Sequence, residues 1–150
     1  MMLYRFTPEI FSNNFNGQGA KLFGGRWNSI GLATMYCSNV ISLSLLELFI
    51  HSVSYEEIAK NKLISIEAPE NIKEIKSTDL KNNWYLDYGY TRFIGDEFLK
   101  SSASLLLKVP SAIIQEENIF LINPQHKDFN KVKIKSINAF EFDVRLFNKP

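Results

Sequence analysis

Gly17-Gln18-Gly19-Ala20-Lys21-Leu22-Phe23-Gly24-Gly25-Arg26-Trp27-Asn28-Ser29-Ile30-Gly31 holds five of the chain's seven glycines within fifteen positions. Backbone that rich in glycine turns sharply or approaches something closely, so this stretch predicts an unusual loop. Before it, Leu3–Phe6 has the make-up of a short strand; after it, Ala33–Cys37 reads as a second. The apolar run Val40–His51 follows, with Leu43, Leu46 and Ile50 as anchors of a helix and Ser38 or Asn39 to cap it. Strand, glycine-rich loop, strand, helix is the frame to which the rest is fitted.

Lys62–Glu67 predicts a strand that ends before Pro69, and Ile72–Lys76 a short edge strand. Asp79–Trp84 suits a helical turn, and Thr91–Lys100 a helix on the period of Phe93, Ile94 and Phe98. Leu105–Val109 and Asn118–Ile122 read as strands stopped by Pro110 and Pro124. Lys131–Ile137 alternates as a half-buried strand. Phe140, Phe142, Val144 and Leu146 alternate with Glu141, Asp143 and Arg145, which predicts a closing strand. Seven or so short strands with two or three helices make an α+β domain, a single one over residues 1–150.

The 150 residues are 45% hydrophobic and 22% charged, ordinary globular usage that excludes a disordered tail, a collagen-like rod and a disulfide scaffold. Seventeen Lys and Arg against sixteen Asp and Glu leave a net charge of +1. Such a balance exerts no long-range pull on nucleic acid or an anionic membrane, so an anion must be met by local placement of charge. A single cysteine, Cys37, excludes an internal disulfide and a multi-thiolate zinc site, and two histidines, His51 and His126, argue against a histidine-rich metal site. The opening Met-Met-Leu-Tyr-Arg lacks the layout of a secretory leader, and Val40–Ile50 is too short to span a bilayer. The expectation is a soluble cytoplasmic protein without a metal.

Several residues carry chemistry. In Gly24-Gly25-Arg26-Trp27-Asn28 two glycines free the backbone, the guanidinium can grip a phosphate bidentately, and Trp27 offers a ring face. The same string also serves as a tight turn with a solvated arginine and a core tryptophan. Glu47 sits among apolar neighbours, and at helical spacing Val40, Ser44, Glu47 and His51 form a thin polar stripe. A carboxylate so placed belongs to a functional site, to a buried ion pair or to the solvent edge of the helix. Arg5 lies between Tyr4 and Phe6, so strand alternation turns it away from both and sends Leu3 and Phe6 to different faces. Tyr36 is a candidate stacking ring. Ser111 suits a ligand bond or a turn cap, and His126 suits a loop. With no Walker-type loop and no Ser/His/Asp spacing, nucleophilic hydrolases and ATPases are disfavoured.

The order of these pieces decides more than any one of them. Tyr4-Arg5-Phe6, Gly17 to Ala20, Gly24 to Asn28 with Gly31, Met35-Tyr36-Cys37-Ser38 and Leu45-Leu46-Glu47 with His51 follow one another. Val109-Pro110-Ser111-Ala112, Glu117-Asn118, Leu121-Ile122-Asn123-Pro124 with His126, and Phe142-Asp143-Val144-Arg145-Leu146 complete the series. From Tyr4 to Leu146 the chain resembles the RES domain family, named for an arginine, a glutamate and a serine that match Arg26, Glu47 and Ser111.

The resemblance implies a fold similar to the ADP-ribosyltransferase toxins of the diphtheria type, with mixed or antiparallel sheets. It implies the toxin half of a bacterial toxin–antitoxin pair, with an Xre-type helix-turn-helix antitoxin as partner and NAD+ as substrate. A homodimer within that complex follows by analogy alone. The implied reaction is hydrolysis or phosphorolysis of the nicotinamide–ribose bond, and in some members transfer of ADP-ribose to a protein; a silent binding domain is the remaining alternative. Glu47, Arg26 and Tyr36 would then be catalytic. Arg5, Gly25, Trp27, Asn28, Ser111, Asn123 and His126 would hold NAD+, with no further cofactor. Arginine-directed transferases carry a second glutamate two residues before the catalytic one; here Leu45 stands there, which disfavours an arginine acceptor. Arg5 replaces the first-strand histidine of the diphtheria type.

Overall fold

A computed structural model describes residues 1–148 of the chain. In chain order its elements are β1 (Met2–Pro8), α1 (Gln18–Phe23), β2 (Met35–Ser38), α2 (Ile41–Ile50), α3 (Tyr55–Ala59) and β3 (Asn61–Glu67). Then follow β4 (Ile72–Glu74), α4 (Tyr88–Ser101), β5 (Leu106–Pro110), β6 (Asn118–Ile122) and β7 (Lys133–Ala139). The strands form one sheet in the order β4-β5-β6-β2-β1-β3-β7, parallel only between β4 and β5. The fold is α+β on a single mixed sheet, with four helices among the described residues rather than two or three. The two unforeseen helices, α1 and α3, have six and five residues, too few to display a helical period in sequence.

Alternation along β1 distributes the core. Leu3, Arg5 and Thr7 share one face and Tyr4 and Phe6 the other. Leu3 packs with Met35, Cys37, Ile64, Ile66, Leu106, Phe120 and Ile122 on the first face. Phe6 packs on the second with Leu63, with Ile58 of α3 and with Leu45 and Leu48 of α2. Farther along that second face, Leu107, Val109, Ile119 and Leu121 lie under Phe98 and Leu99 of α4 and under Trp27 and Trp84. So Leu3 and Phe6 lie on opposite faces, as the alternation predicted, and both are buried because each face carries its own core.

Three local expectations change. Phe140–Leu146 is not a strand: β7 ends at Ala139, and the rings of Phe140 and Phe142 turn onto Phe6 at centroid distances of 5.0 and 5.3 Å. Packing of both rings against Phe6 draws the chain out of the ladder, and Asp143, accepting from the Arg145 N–H, starts a 3-10 turn at Val144–Leu146. Neither Ser38 nor Asn39 caps α2. Val40 occupies that position, while the Ser38 hydroxyl bonds to the Val40 carbonyl and lies 2.6 Å from the Ser44 hydroxyl. The helical turn expected at Asp79–Trp84 divides into two 3-10 turns, Ser77–Asp79 and Trp84–Leu86.

Candidate functional site

The sheet is split where β1 meets β2. These neighbours pair only at Tyr4 and Ser38, whereas β1 pairs with β3 along its full length, from Met2–Glu67 to Pro8–Asn61. Beyond Tyr4 the strands separate, and a cleft of about 1000 Å³ opens between them. It is lined from β1 by Arg5 and Thr7, from β2 by Tyr36 and Cys37, and from α2 by Ser44, Glu47 and His51. Of the polar stripe predicted along α2, Ser44, Glu47 and His51 face the cleft, while Val40 is an exposed cap. Burial pushes the Cys37 thiol up to about 11, which leaves it an unreactive wall residue.

Glu47 is half-buried, and its Oε1 accepts a hydrogen bond of 3.1 Å from the Ser111 hydroxyl. Ser111 is fully buried just past the end of β5. Its oxygen in turn accepts from the N–H groups of Ile113 and Ile114, at 3.1 and 3.2 Å, which leaves its proton directed at the carboxylate. Desolvation raises the Glu47 pKa above the ordinary glutamate value, against the lowering effects of the Ser111 bond, His51 and Arg26. The result is a carboxylate held in one orientation and made more basic by its surroundings.

The glycine-rich loop is strapped to α4 residue by residue. The Arg92 Nε donates to the Gly25 carbonyl at 2.8 Å, and the Thr91 hydroxyl donates to the Arg26 carbonyl at 2.6 Å. The carboxylate of Asp96 accepts from the Ser29 N–H at 2.8 Å and from its hydroxyl at 2.6 Å. Gly95 permits this approach: a Cβ there would stand 1.7 Å from the Trp27 carbonyl oxygen. Fixed in this way, Arg26 donates to the Tyr85 carbonyl at 2.7 Å and to the Tyr88 hydroxyl at 3.3 Å, with its guanidinium 4.4 Å from the centre of the Tyr88 ring. Arg92 lies 5.4 Å from the centre of the same ring.

Arg5, Arg26 and Arg92 all line the cleft, and Glu47 is the one carboxylate among its described lining residues. None of the three guanidiniums has a carboxylate within ion-pair distance among the described residues. Of the five N–H groups that each carries, Arg26 engages two and Arg92 one. A nearly neutral chain thus concentrates uncompensated positive charge in one cleft, the local placement that recognition of an anion requires.

The sequence model of the RES domain matches residues 2–145. The chain belongs to the RES domain family. The RES chain is 37% identical over 148 residues to a protein of Photorhabdus laumondii named Toxin Res, covering 96% of this chain and 94% of that one. A Toxin Res of Yersinia enterocolitica is also 37% identical, covering 97% and 99%. A Sphingobium protein named Prs ADP-ribosylating toxin is 30% identical, covering 92% and 89%. Among solved structures, a chain of the M. tuberculosis MbcT–MbcA toxin–antitoxin complex superposes with a TM-score of 0.76 at 17% identity, covering 93% of this chain and 83% of that one, a likeness of fold.

The three residues matching the family's name take different positions in this RES chain. Arg26 and Glu47 face the cleft; Ser111 lies behind Glu47, hydrogen-bonded to its carboxylate, and is absent from the lining. Gly25 and Tyr36 also line the cleft. The Tyr36 hydroxyl donates to Asn28 Oδ1 at 2.6 Å and accepts from the Trp27 N–H at 3.0 Å, which pins the ring at the cleft wall. Burial pushes its pKa upward. A Cβ on Gly25 would stand 2.6 Å from that hydroxyl, so glycine is required for the contact.

Four residues expected to hold ligand make structural contacts and are absent from the cleft lining. Trp27 is a fully buried core residue 5.7 Å from Trp84 and offers no ring to the cleft. Asn28, also fully buried, binds the carbonyls of Ala20 and Leu32 through Nδ2 and braces the loop and Tyr36. Asn123 ties the end of β6 to Leu99 and Ser102 after α4. His126 accepts from the Asp128 N–H through Nδ1 in a buried turn. Neither Asn123 nor His126 reaches the cleft. Conversely, Thr91, Arg92, Gly95 and Asp96 were missed. Their partners lie about 65 positions away in sequence, and the one available signal was a glycine interrupting the pattern of Thr91–Lys100.

Proposed function

We propose that this RES-family chain is the toxin of a toxin–antitoxin pair and that it breaks the nicotinamide–ribose bond of NAD+ in the split of its sheet. The observation that carries the reading is the pairing of one oriented carboxylate, Glu47 on Ser111, with three unpaired guanidiniums in the same cleft. The first suits a developing sugar cation and the second a diphosphate.

The C1′–N bond breaks as its electron pair moves onto the pyridinium nitrogen, releasing neutral nicotinamide and leaving an oxocarbenium-like ribose. The ionised Glu47 side chain stabilises that cation. Water or inorganic phosphate then forms the new C1′–O bond, giving ADP-ribose and a proton, or phosphorylated ADP-ribose. Arg26, Arg92 and Arg5 hold the diphosphate side, and the pinned ring of Tyr36 stacks on nicotinamide as it leaves. NAD+ is the substrate, and the chemistry asks for no further cofactor and no metal.

A second reading, transfer of ADP-ribose to a protein, is favoured by the name of the Sphingobium relative, an ADP-ribosylating toxin. Leu45, packed with Phe6 in the core, occupies the place of the second glutamate and disfavours an arginine acceptor. A silent binding domain would have no use for a glutamate held ready by a buried serine.

An enzyme that drains NAD+ in the cytoplasm must be restrained by its partner. We take that partner to be an Xre-type helix-turn-helix antitoxin covering the cleft between Gly24–Asn28 and Glu47. Exposed Phe11, Leu22, Phe23 and Ile50 on the rim offer it apolar contact. No described helix is long and apolar enough to cross a membrane. The test is NAD+ loss by the purified chain with and without phosphate, resolving nicotinamide and the ADP-ribose products. Glu47→Gln should abolish nicotinamide release while folding is retained; release that survives would refute the mechanism.

A further inference from the structure

The alternation of β1 places Thr7 beside Arg5 on the face opposite Phe6, and both side chains line the cleft. Thr7 is 6% exposed. Its hydroxyl is buried without a hydrogen-bond partner, and so is the Nε–H of Arg5. The only other buried side-chain atom in that condition among the described residues is Trp27 Nε1, which lies in the core beside Trp84 and away from the cleft. Leaving one such group unpaired costs more than a hydrogen bond gains, and two on adjacent same-face positions of one strand, about 7 Å apart, form a coherent gap. Both can donate, and one is cationic with no carboxylate partner, so the matching group is an anionic oxygen.

We infer that Thr7 is a substrate-contacting residue, its hydroxyl acting with Arg5 as a subsite for a phosphate oxygen of a nucleoside diphosphate. The assignment rests on the NAD+ reading of the cleft and deepens it. Because β1 and β2 part beyond Tyr4, a ligand can reach both sheet faces through the split. Glu47 stands over the α2 face, and Thr7 and Arg5 mark the other. The substrate therefore threads the split, with its reacting ribose on the α2 side and its diphosphate drawn toward β1. Thr7 supplies a short, oriented donor beside Arg5 that adds no further charge to a cleft already holding three guanidiniums.

Thr7→Val separates this role from a structural one, because the two predict different results. Removing an unpartnered buried hydroxyl at constant shape stabilises the fold, so the variant's Tm should be unchanged or higher. If Thr7 contacts phosphate, KM for NAD+ and the Kd for ADP measured by calorimetry should both rise about tenfold, with kcat within about twofold, the scale of one hydrogen bond to a charged acceptor. Thr7→Ser should restore both values. Unchanged KM and Kd in Thr7→Val, alongside NAD+ turnover by the unmodified chain, would overturn the assignment alone. So would a rise in KM for NAD+ with no change in Kd for ADP, which would remove the diphosphate as the contact. Thr7-dependent ADP binding by a chain that does not consume NAD+ would refute the proposed reaction and keep the subsite.

Discussion

Replacing Ser111 by alanine tests how the carboxylate is held ready. Its hydroxyl makes three contacts: it donates to Glu47 Oε1 at 3.1 Å and accepts from the N–H groups of Ile113 and Ile114 at 3.1 and 3.2 Å. A hydrogen bond to a charged group contributes about 1.5–3 kcal/mol, which sets the expected loss of kcat/KM for NAD+ at roughly ten- to a hundredfold. Because the bond favours the ionised form, its removal leaves desolvation less opposed and raises the Glu47 pKa further. The proposed reaction needs the ionised carboxylate, so turnover should fall as pH drops through that pKa. The acid limb of the kcat/KM profile should therefore lie above the range of an ordinary glutamate in the unmodified enzyme and move higher still in Ser111→Ala. The two abandoned N–H groups should also cost stability, about 1–3 kcal/mol each where water does not replace the hydroxyl. Nicotinamide release measured from pH 4 to 9, with Tm followed in parallel, reads both effects. An acid limb that stays in place while KM alone rises would refute this reasoning and make Ser111 a substrate contact.

Three further perturbations read other parts of the design. Glu47→Gln should raise Tm at neutral pH, because the amide carries no charge to desolvate. A carboxyl group with a raised folded-state pKa stabilises the fold below its unfolded value and loses that contribution as pH rises. The gain should therefore be larger at pH 8 than at pH 5, and thermal melts at both values check the sign. Gly95→Ala should destabilise by about 3 kcal/mol or more, since its Cβ would meet the rigid Trp27 carbonyl, and denaturant titration should show it. Tyr36→Phe keeps the ring but strands Asn28 Oδ1 and the Trp27 N–H. It should lower stability by about 1–3 kcal/mol while leaving kcat within about tenfold, whereas Tyr36→Ala should abolish turnover. A Tyr36→Phe enzyme as inactive as Tyr36→Ala would mean that the hydroxyl takes part in the chemistry.

By itself the sequence determined the α+β class, the succession of all seven strands to within a few residues, and the cores of α2 and α4. Those features follow from local periodicity and from glycine and proline, which act within a few positions of themselves. That Leu3 and Phe6 take opposite faces was legible from strand alternation, while the burial of both depended on a core on each side of the sheet. The order of motifs along the chain also singled out Arg26, Tyr36 and Glu47, which the fold brings to one cleft. The closing segment misled: an alternating Phe140–Leu146 satisfies a strand pattern equally well when its two rings are needed to cover Phe6. Burial of Trp27, Asn28, Asn123 and His126 depends on what packs over them, and side-chain chemistry alone does not report it. Tertiary structure alone put Ser111 behind Glu47, strapped the glycine-rich loop to α4, and parted β1 from β2 so that Arg5 and Thr7 open onto the same cleft as the carboxylate. Each of these joins residues far apart in the chain, where no local pattern records the encounter.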